Sequence, residues 1–253
     1  MKVFIVTQDE PFFLAEAIDY LLRTTPDGIA VVGAYVLEAS PFGGKKSFAR
    51  KVLDTIRIFG FRFFLFYAWR FAWNRLFGVK VADVFAKYGV ATKTRITDIN
   101  AAQSLEYLRS LAPDVIVSLA SNQIFRDELL ALPSCGCLNL HTGKLPKYRG
   151  LMPLFWAMCN GESEVGVTVF LMDKGIDTGP ILRQETFPLA DFSMHELIRI
   201  TKIIGMRLVN LSLADLRDGT HTLMPNDNAQ ATVVRFPTRA DTRRFSSIGK
   251  RFF

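Results

Sequence analysis

The chain alternates between short apolar runs and longer stretches of mixed polarity. Apolar runs of strand length occupy residues 3–6, 29–37, 115–119 and 136–141, and helix-like stretches separate them. Such alternation is typical of a parallel sheet whose strands are joined by helical crossovers. We therefore expect an α/β fold, with a Rossmann-like, mostly parallel sheet, flanking helices and a short C-terminal extension.

Two of the predicted helices have recognisable ends. Residues 101–111 carry apolar side chains at helical spacing before Pro113, and Asp98 is predicted to cap this helix. Ser193 and Glu196 have the spacing of a capping box, which predicts a long helix ending near Gly219. The end of that helix divides the chain into a predicted main domain, residues 1–219, and an extension, residues 220–253.

Residues 56–77 depart from this pattern because aromatic residues are interleaved there with Arg57, Arg62, Arg70 and Arg75. A membrane span needs ~20 mostly apolar residues, and the arginines interrupt this run too often. Our preferred interpretation is a helix packed across the domain or in a dimer interface, with arginines reaching to water. Weak contact with an anionic membrane surface, a protein partner or stacked nucleic acid are the alternatives.

The composition is ordinary for a folded enzyme. With 253 residues, 49% hydrophobic and 22% charged, the chain suits one well-buried domain with an appendage and not a disordered protein. Three cysteines, Cys135, Cys137 and Cys159, follow no disulfide or zinc pattern, so we expect no metal. The N-terminal run is too short for a signal peptide, and we expect a cytoplasmic location.

The net charge of +7 and the isoelectric point near 9.4 favour an anionic partner. A nucleotide-linked small molecule, a polyanionic cofactor, RNA and an acidic membrane all satisfy this condition. Charge alone does not choose among them.

The most informative residues are Asn139 and His141, which lie two apart in a predicted strand and therefore share one face. An asparagine amide can donate to a developing oxyanion, and an imidazole can transfer a proton near neutral pH. A later carboxylate, Asp177, follows a turn-like Lys174-Gly175 and can orient or charge-balance the imidazole. These residue types suit the attack of an amine on a carbonyl.

Four ordered segments carry a family resemblance: Gly136-Cys-Leu-Asn-Leu-His141, Leu145-Pro-Lys-Tyr-Arg-Gly150, Gly166-Val-Thr-Val169 and Met172-Asp-Lys-Gly-Ile-Asp-Thr-Gly179. Together they resemble the catalytic domain of the N10-formyltetrahydrofolate-dependent formyltransferases. The resemblance implies that Asn139, His141 and Asp177 form the catalytic triad. It also implies N10-formyltetrahydrofolate as cosubstrate.

By the same resemblance, the pterin ring of the cosubstrate fits between the segments 119–124 and 172–176, mainly against backbone groups. The residues expected to bind it are Leu119, Ala120, Asn122, Ile124, Met172, Asp173, Gly175 and Ile176.

The loop after His141 is expected to shape the acceptor side through Lys144, Tyr148 and Arg149. Many relatives have a serine where this chain has Lys144. This difference affects the expected identity of the acceptor more than the expected type of reaction. Arg149 either holds an anion or anchors the loop by bonds to carbonyl groups.

The acceptor implied by resemblance is a small primary amine, and we expect that of an anionic, nucleotide-linked amino sugar of surface polysaccharide biosynthesis. A tRNA acceptor is not expected, because residues 220–253 are too few for the β-barrel with which methionyl-tRNA formyltransferases grip tRNA. A methionyl-tRNA formyltransferase-like enzyme and a formyltetrahydrofolate hydrolase remain the alternatives. We expect a homodimer.

Two features remain, the basic C-terminal tail and two further histidines. The tail beyond Thr232 carries Arg235, Arg239, Arg243, Arg244, Lys250 and Arg251, and we hypothesise that either this tail or Lys144 and Arg149 bind the anionic group of the acceptor. Truncation after Thr232 tests that hypothesis. His195 and His221 are interpreted as surface or capping-region histidines.

Overall fold

A computed structural model describes residues 1–39 and 48–253. The strands are β1 (Lys2–Gln8), β2 (Ala30–Leu37), β3 (Thr92–Lys93), β4 (Val115–Leu119), β5 (Cys137–His141), β6 (Arg149–Gly150), β7 (Glu164–Leu171), β8 (Ile181–Pro188) and β9 (Val233–Val234). The helices are α1 (Leu14–Arg23), α2 (Phe48–Phe59), α3 (Phe61–Phe77), α4 (Val81–Lys87), α5 (Ala102–Leu111), α6 (Asp127–Leu130), α7 (Pro153–Cys159), α8 (Met194–Asp218) and α9 (Arg239–Ser247).

The main sheet has seven strands in the order β3-β2-β1-β4-β5-β7-β8. The five strands from β3 to β5 pair in parallel, whereas β7 runs antiparallel to β5 and β8 antiparallel to β7. This arrangement confirms the predicted α/β class and mostly parallel sheet. The strands β7 and β8 were not among the runs predicted from apolarity, although one family segment, residues 166–169, covers half of β7.

Both faces of the sheet are buried. Along β1, Val3 and Ile5 point into the layer that contains α1 and α8, while Phe4 and Val6 point into the layer that contains α5. The near-continuous apolar runs of the central strands follow from this double burial, because neither face meets water. At their carboxyl ends the parallel strands lead into loops. The candidate site lies at this edge of the sheet.

The long C-terminal helix was predicted correctly. The Ser193 hydroxyl accepts from the Glu196 amide, the Glu196 carboxylate accepts from the Ser193 amide, and Gly219 ends α8 in a left-handed conformation with φ +67°. The prediction that Asp98 caps α5 was wrong. The residue at the cap is Ala101, and the Asp98 carboxylate instead accepts from the Asn100 amide in a preceding turn.

The aromatic segment is two helices and not one. Gly60 separates α2 from α3 with φ +91°, a conformation that glycine adopts without strain. One side of α3 packs on the protein, where Phe63 meets Phe252 and Phe66 stacks on Phe253, but no residue of α3 is fully buried. Within residues 1–39 and 48–253, no helix is long and apolar enough to cross a membrane.

Residues 220–253 pack against elements from the preceding part of the chain. β9 pairs with β6, and Phe245 of α9 is fully buried and stacks on Phe155 of α7, with ring centroids 5.0 Å apart. Removing a buried Phe costs roughly 3–5 kcal/mol. Truncation after Thr232 would therefore damage the core, so it cannot test acceptor binding by the tail.

Candidate active site

The carboxyl end of β5 presents Asn139 and His141, and the loop between β7 and β8 brings Asp177 to both. One oxygen of the Asp177 carboxylate, Oδ2, lies 3.5 Å from His141 Nδ1, and the other, Oδ1, lies 3.5 Å from Asn139 Nδ2. The side chains of His141 and Asp177 are only 7% and 12% exposed, so solvent screens their interaction weakly. The structure thus brings the three sequence-predicted residues together.

The second nitrogen of His141 is held by the backbone. His141 Nε2 lies 2.9 Å from the carbonyl oxygen of Tyr148, which can only accept a hydrogen bond. Nε2 therefore carries a proton in the neutral imidazole, and the lone pair belongs to Nδ1. The atom that faces Asp177 is thus the one that can take up a further proton.

Two local features fix these groups. Asp177 has φ +54°, and its Oδ2 accepts from the Gly150 amide at 2.8 Å, which orients the carboxylate toward the imidazole. Gly143 leaves room for the imidazole ring, because a Cβ there would lie 2.6 Å from His141 Nε2 and 2.8 Å from Pro153 Cβ. Any side chain at position 143 would displace the ring or the backbone.

Sequence reasoning missed Asn226, a residue of the C-terminal extension. Its side-chain amide donates to the carbonyl oxygens of Asp177 and Gly179, both at 2.9 Å, and its Oδ1 accepts from Arg149 Nη2 at 2.8 Å. Asn226 therefore ties the Asp177 loop to the loop after His141. A lone asparagine in a polar loop has no periodic pattern or motif by which the sequence could have revealed this role.

Arg149 was predicted either to hold an anion of the acceptor or to anchor its loop, and its contacts within the protein bear on these alternatives. The residue is buried, and its guanidinium donates to Asn226 and Asn228 at 2.7–3.1 Å. Of the two alternatives, anchoring of the loop is the one observed.

The other two acceptor-loop residues are also engaged. The Tyr148 side chain is buried, and its hydroxyl donates to Glu162 at 2.5 Å. Burial, reinforced by Glu162, raises the pKa of the Tyr148 hydroxyl. Lys144 is partly exposed and forms an ion pair with Glu164 along a cavity of about 210 Å³, which is not lined by the catalytic candidates.

The residues expected to bind the cosubstrate fall into two groups. Ile124 and Ile176 are 73% and 63% exposed on the two loops, and Ala120 and Gly175 lie in the same loops. The remaining side chains are occupied: Leu119 is buried, Met172 packs on the core, Asn122 donates to the Glu38 carbonyl, and Asp173 accepts from Gly175 and Thr178. These contacts leave fewer free side-chain groups for a ligand, so the backbone of the two loops gains importance.

A cavity of about 690 Å³ lies at the same edge of the sheet, beyond the ends of β1 and β2. Both acidic and basic groups line it: Asp9, Glu10, Glu38, Arg75, Lys80 and Arg95. The hydrogen bond from Asn122 to the Glu38 carbonyl joins the loop after β4 to this wall.

His195 and the tail cations lie outside the triad. His195 packs against Phe13 and Phe66, its Nδ1 lies 3.2 Å from the Tyr67 hydroxyl, and burial lowers its pKa. Arg235 forms an ion pair with Asp241, and Arg251 donates to the Asp191 carbonyl. His221 is exposed in the loop after α8.

Comparison with known proteins agrees with this geometry. Residues 80–199 match the formyl transferase family, and this range contains all three catalytic candidates. The chain belongs to the formyl transferase family. It is 34% identical over 170 residues to the methionyl-tRNA formyltransferase of Kosmotoga olearia, a match that covers 67% of this chain and 54% of that protein. With the Trichlorobacter lovleyi methionyl-tRNA formyltransferase, identity is 40% over 53% of this chain and 42% of that protein. The chain thus spans about half the length of these formyltransferase relatives.

Solved structures share the fold at low identity. A sugar N-formyltransferase from a Shewanella species has a TM-score of 0.61 at 18% identity, and the match covers 97% of this chain and 87% of that one. An N-formyltransferase from Helicobacter canadensis in complex with folinic acid and dTDP-3-aminofucose has a TM-score of 0.56 at 17% identity, covering 92% and 71%. The phosphoribosylglycinamide formyltransferase of Bacillus halodurans has a TM-score of 0.60 at 17% identity, covering 85% and 95%.

Proposed function

We propose that this formyltransferase transfers a formyl group from N10-formyltetrahydrofolate to the primary amine of a small acceptor. The observation that carries the proposal is the position of Asp177, with one carboxylate oxygen facing the His141 imidazole and the other facing the Asn139 amide. A proton acceptor, its counter-charge and an oxyanion donor are the groups that attack on a formyl carbon requires.

Each residue has a distinct part in this chemistry. His141 Nδ1 takes the proton from the attacking amine, because Nε2 already donates to Tyr148. Asp177 stabilises the imidazolium that results. The amide of Asn139 donates to the oxygen that becomes negative as the new C–N bond forms, and the imidazolium returns its proton to the departing N10 nitrogen.

The loops beside the triad fit a flat heteroaromatic donor. Exposed Ile124 and Ile176 offer apolar side chains on two separate loops, and the neighbouring backbone supplies polar groups. Because the Asn122 and Asp173 side chains are bonded within the protein, we assign donor recognition mainly to the backbone.

The acceptor we favour is a nucleotide-linked amino sugar of surface polysaccharide biosynthesis. Support comes from the likeness to the Shewanella sugar N-formyltransferase, which extends over 97% of this chain. With Arg149 occupied, the basic residues Arg75, Lys80 and Arg95 of the larger cavity are the better candidates for an anionic acceptor group. The unpaired cysteines support a cytoplasmic enzyme.

A methionyl-tRNA acceptor is the second candidate, because the sequence relatives are methionyl-tRNA formyltransferases at 34–40% identity over about half their length. A hydrolase would use the same groups with water as acceptor.

The test is a mass-spectrometric assay of the purified chain with N10-formyltetrahydrofolate. Nucleotide-linked amino sugars, charged methionyl-tRNA and buffer alone are supplied in parallel. N-formylation of an amino sugar supports the proposal, whereas formylation of methionyl-tRNA alone, or donor hydrolysis at an equal rate in every sample, would overturn the amino-sugar assignment. Arg95→Gln should raise the KM for the amino sugar with little effect on the donor KM.

A further inference from the structure

The outward face of α3 is a continuous apolar stripe. Phe61, Leu65, Trp69, Trp73 and Leu76 are between 50% and 75% exposed. Residues four apart lie above one another on a helix, so these side chains form one row along the axis. Their rings also contact each other, with 6.1 Å between the Trp69 and Trp73 centroids and 4.7 Å between those of Trp73 and Phe77.

This face is outward because the opposite side of α3 is already fixed to the protein. Phe63 packs on Phe252, Phe66 stacks on Phe253, and the Asn74 amide donates to the Pro11 carbonyl at 2.7 Å. The helix therefore cannot turn its tryptophans inward without breaking these contacts. A large apolar patch with aromatic residues marks an interaction surface more often than a solvated one.

The segment that carries the stripe is strongly basic. Residues 48–77 contain six basic residues and a single acid, Asp54, whose carboxylate lies 3.9 Å from Arg50. Arg62 and Arg75 are exposed beside the stripe. Helix α9 adds exposed Arg239, Arg243 and Arg244, and it is held beside α2 by the Thr242 hydroxyl, which donates to the Ile58 carbonyl at 2.5 Å.

We propose that α3, with the exposed Arg62 and Arg75 beside its apolar stripe, docks the protein on the surface of a bilayer that contains anionic lipids. Trp, Phe and Leu on one helical face with arginines at its borders are the features of a helix that lies in the membrane interface. A span is excluded, because 17 residues reach only about 26 Å and the inward face is held by the protein.

The arginines beside the stripe favour an anionic bilayer over a second copy of the chain as the binding partner of α3. A two-fold contact through α3 would bring the same patch of each copy together, and with it the arginines of both. Like charges facing each other across an interface oppose association. Anionic headgroups supply the opposite charge, while the acyl region accepts the tryptophans.

The test uses the purified chain and vesicles of phosphatidylcholine, with or without phosphatidylglycerol. We expect cosedimentation with the anionic vesicles that weakens at high salt, and a blue shift in tryptophan fluorescence from Trp69 and Trp73. Trp69→Gln combined with Trp73→Gln should lower the partition coefficient about tenfold or more. Arg62→Gln should lower it about fivefold.

The matched control replaces exposed apolar residues outside this face, Leu211→Gln and Leu223→Gln, and should bind vesicles like the wild type. Absence of binding to anionic vesicles would overturn the proposal. So would sedimentation as a dimer that the tryptophan variants dissociate, because the face would then be occupied by a second copy. Neither outcome depends on formyl transfer, so the result is independent of the proposed reaction.

Discussion

Replacing Asp177 with asparagine removes the negative charge of this side chain while keeping its shape. Asparagine has the same outline and is one of the few residues that tolerate the left-handed conformation found here, φ +54°. Its side-chain oxygen can still accept from the Gly150 amide, so the loop should stay in place. What disappears is the negative charge 3.5 Å from His141 Nδ1.

The size of the effect follows from that distance. Opposite charges about 4 Å apart attract by about 4 kcal/mol at the effective dielectric constant typical of protein sites. Partial solvation reduces this value, so we expect kcat for formyl transfer to fall by about 10²- to 10³-fold, which corresponds to about 2.7–4.1 kcal/mol. The new amide nitrogen also faces the Asn139 amide in place of Oδ1, which costs about one further hydrogen bond.

The assay is single-turnover formyl transfer, measured together with the thermal midpoint of unfolding. Asp218→Asn is the matched control, since it removes an exposed carboxylate that pairs with the adjacent Arg217, and it should leave kcat unchanged. A folded Asp177→Asn protein with a kcat within tenfold of the wild type would refute the proposed stabilisation of the imidazolium.

Three further predictions concern the same site. His141→Ala and Asn139→Ala should each lower formyl transfer at least ~10²-fold with the fold intact, and near-wild-type turnover in both would exclude the assigned roles. Gly143→Ala should lower kcat because its Cβ would lie 2.6 Å from His141 Nε2; an unchanged kcat would mean that the ring can shift harmlessly. Asn226→Ala should lower kcat and change the donor KM less, because it frees the Asp177 loop. Rapid-reaction kinetics measures both effects.

The control for Asn226→Ala is Asn228→Ala. Asn228 accepts one bond from Arg149 but has no bond to the Asp177 loop, so its replacement should affect kcat less. Equal losses in the two variants would indicate that anchoring Arg149, and not positioning Asp177, is what matters. Thermal unfolding of both variants separates a loss of activity from a loss of fold.

The sequence by itself determined the α/β class, the capping box at Ser193 and the family motifs, because these depend on local patterns. Strand periodicity was enough to place Asn139 and His141 on one face, since successive side chains alternate in any strand. The approach of Asp177 to both was expected only from the family resemblance. Nothing local requires the loop that carries Asp177 to fold back onto β5.

The tertiary structure decided the features that depend on which surfaces meet. Arg149 and Tyr148 resembled substrate contacts, but both bond to residues outside their own loop, Arg149 to Asn226 and Tyr148 to Glu162. The aromatic segment was ambiguous because α3 is apolar on several sides, so no periodicity indicates which side packs. Contacts with Phe252 and Phe253 fix which side of α3 packs on the protein, and they leave Trp69 and Trp73 exposed. Such long-range contacts are selected by the free energy of the whole fold, which no short window of sequence contains.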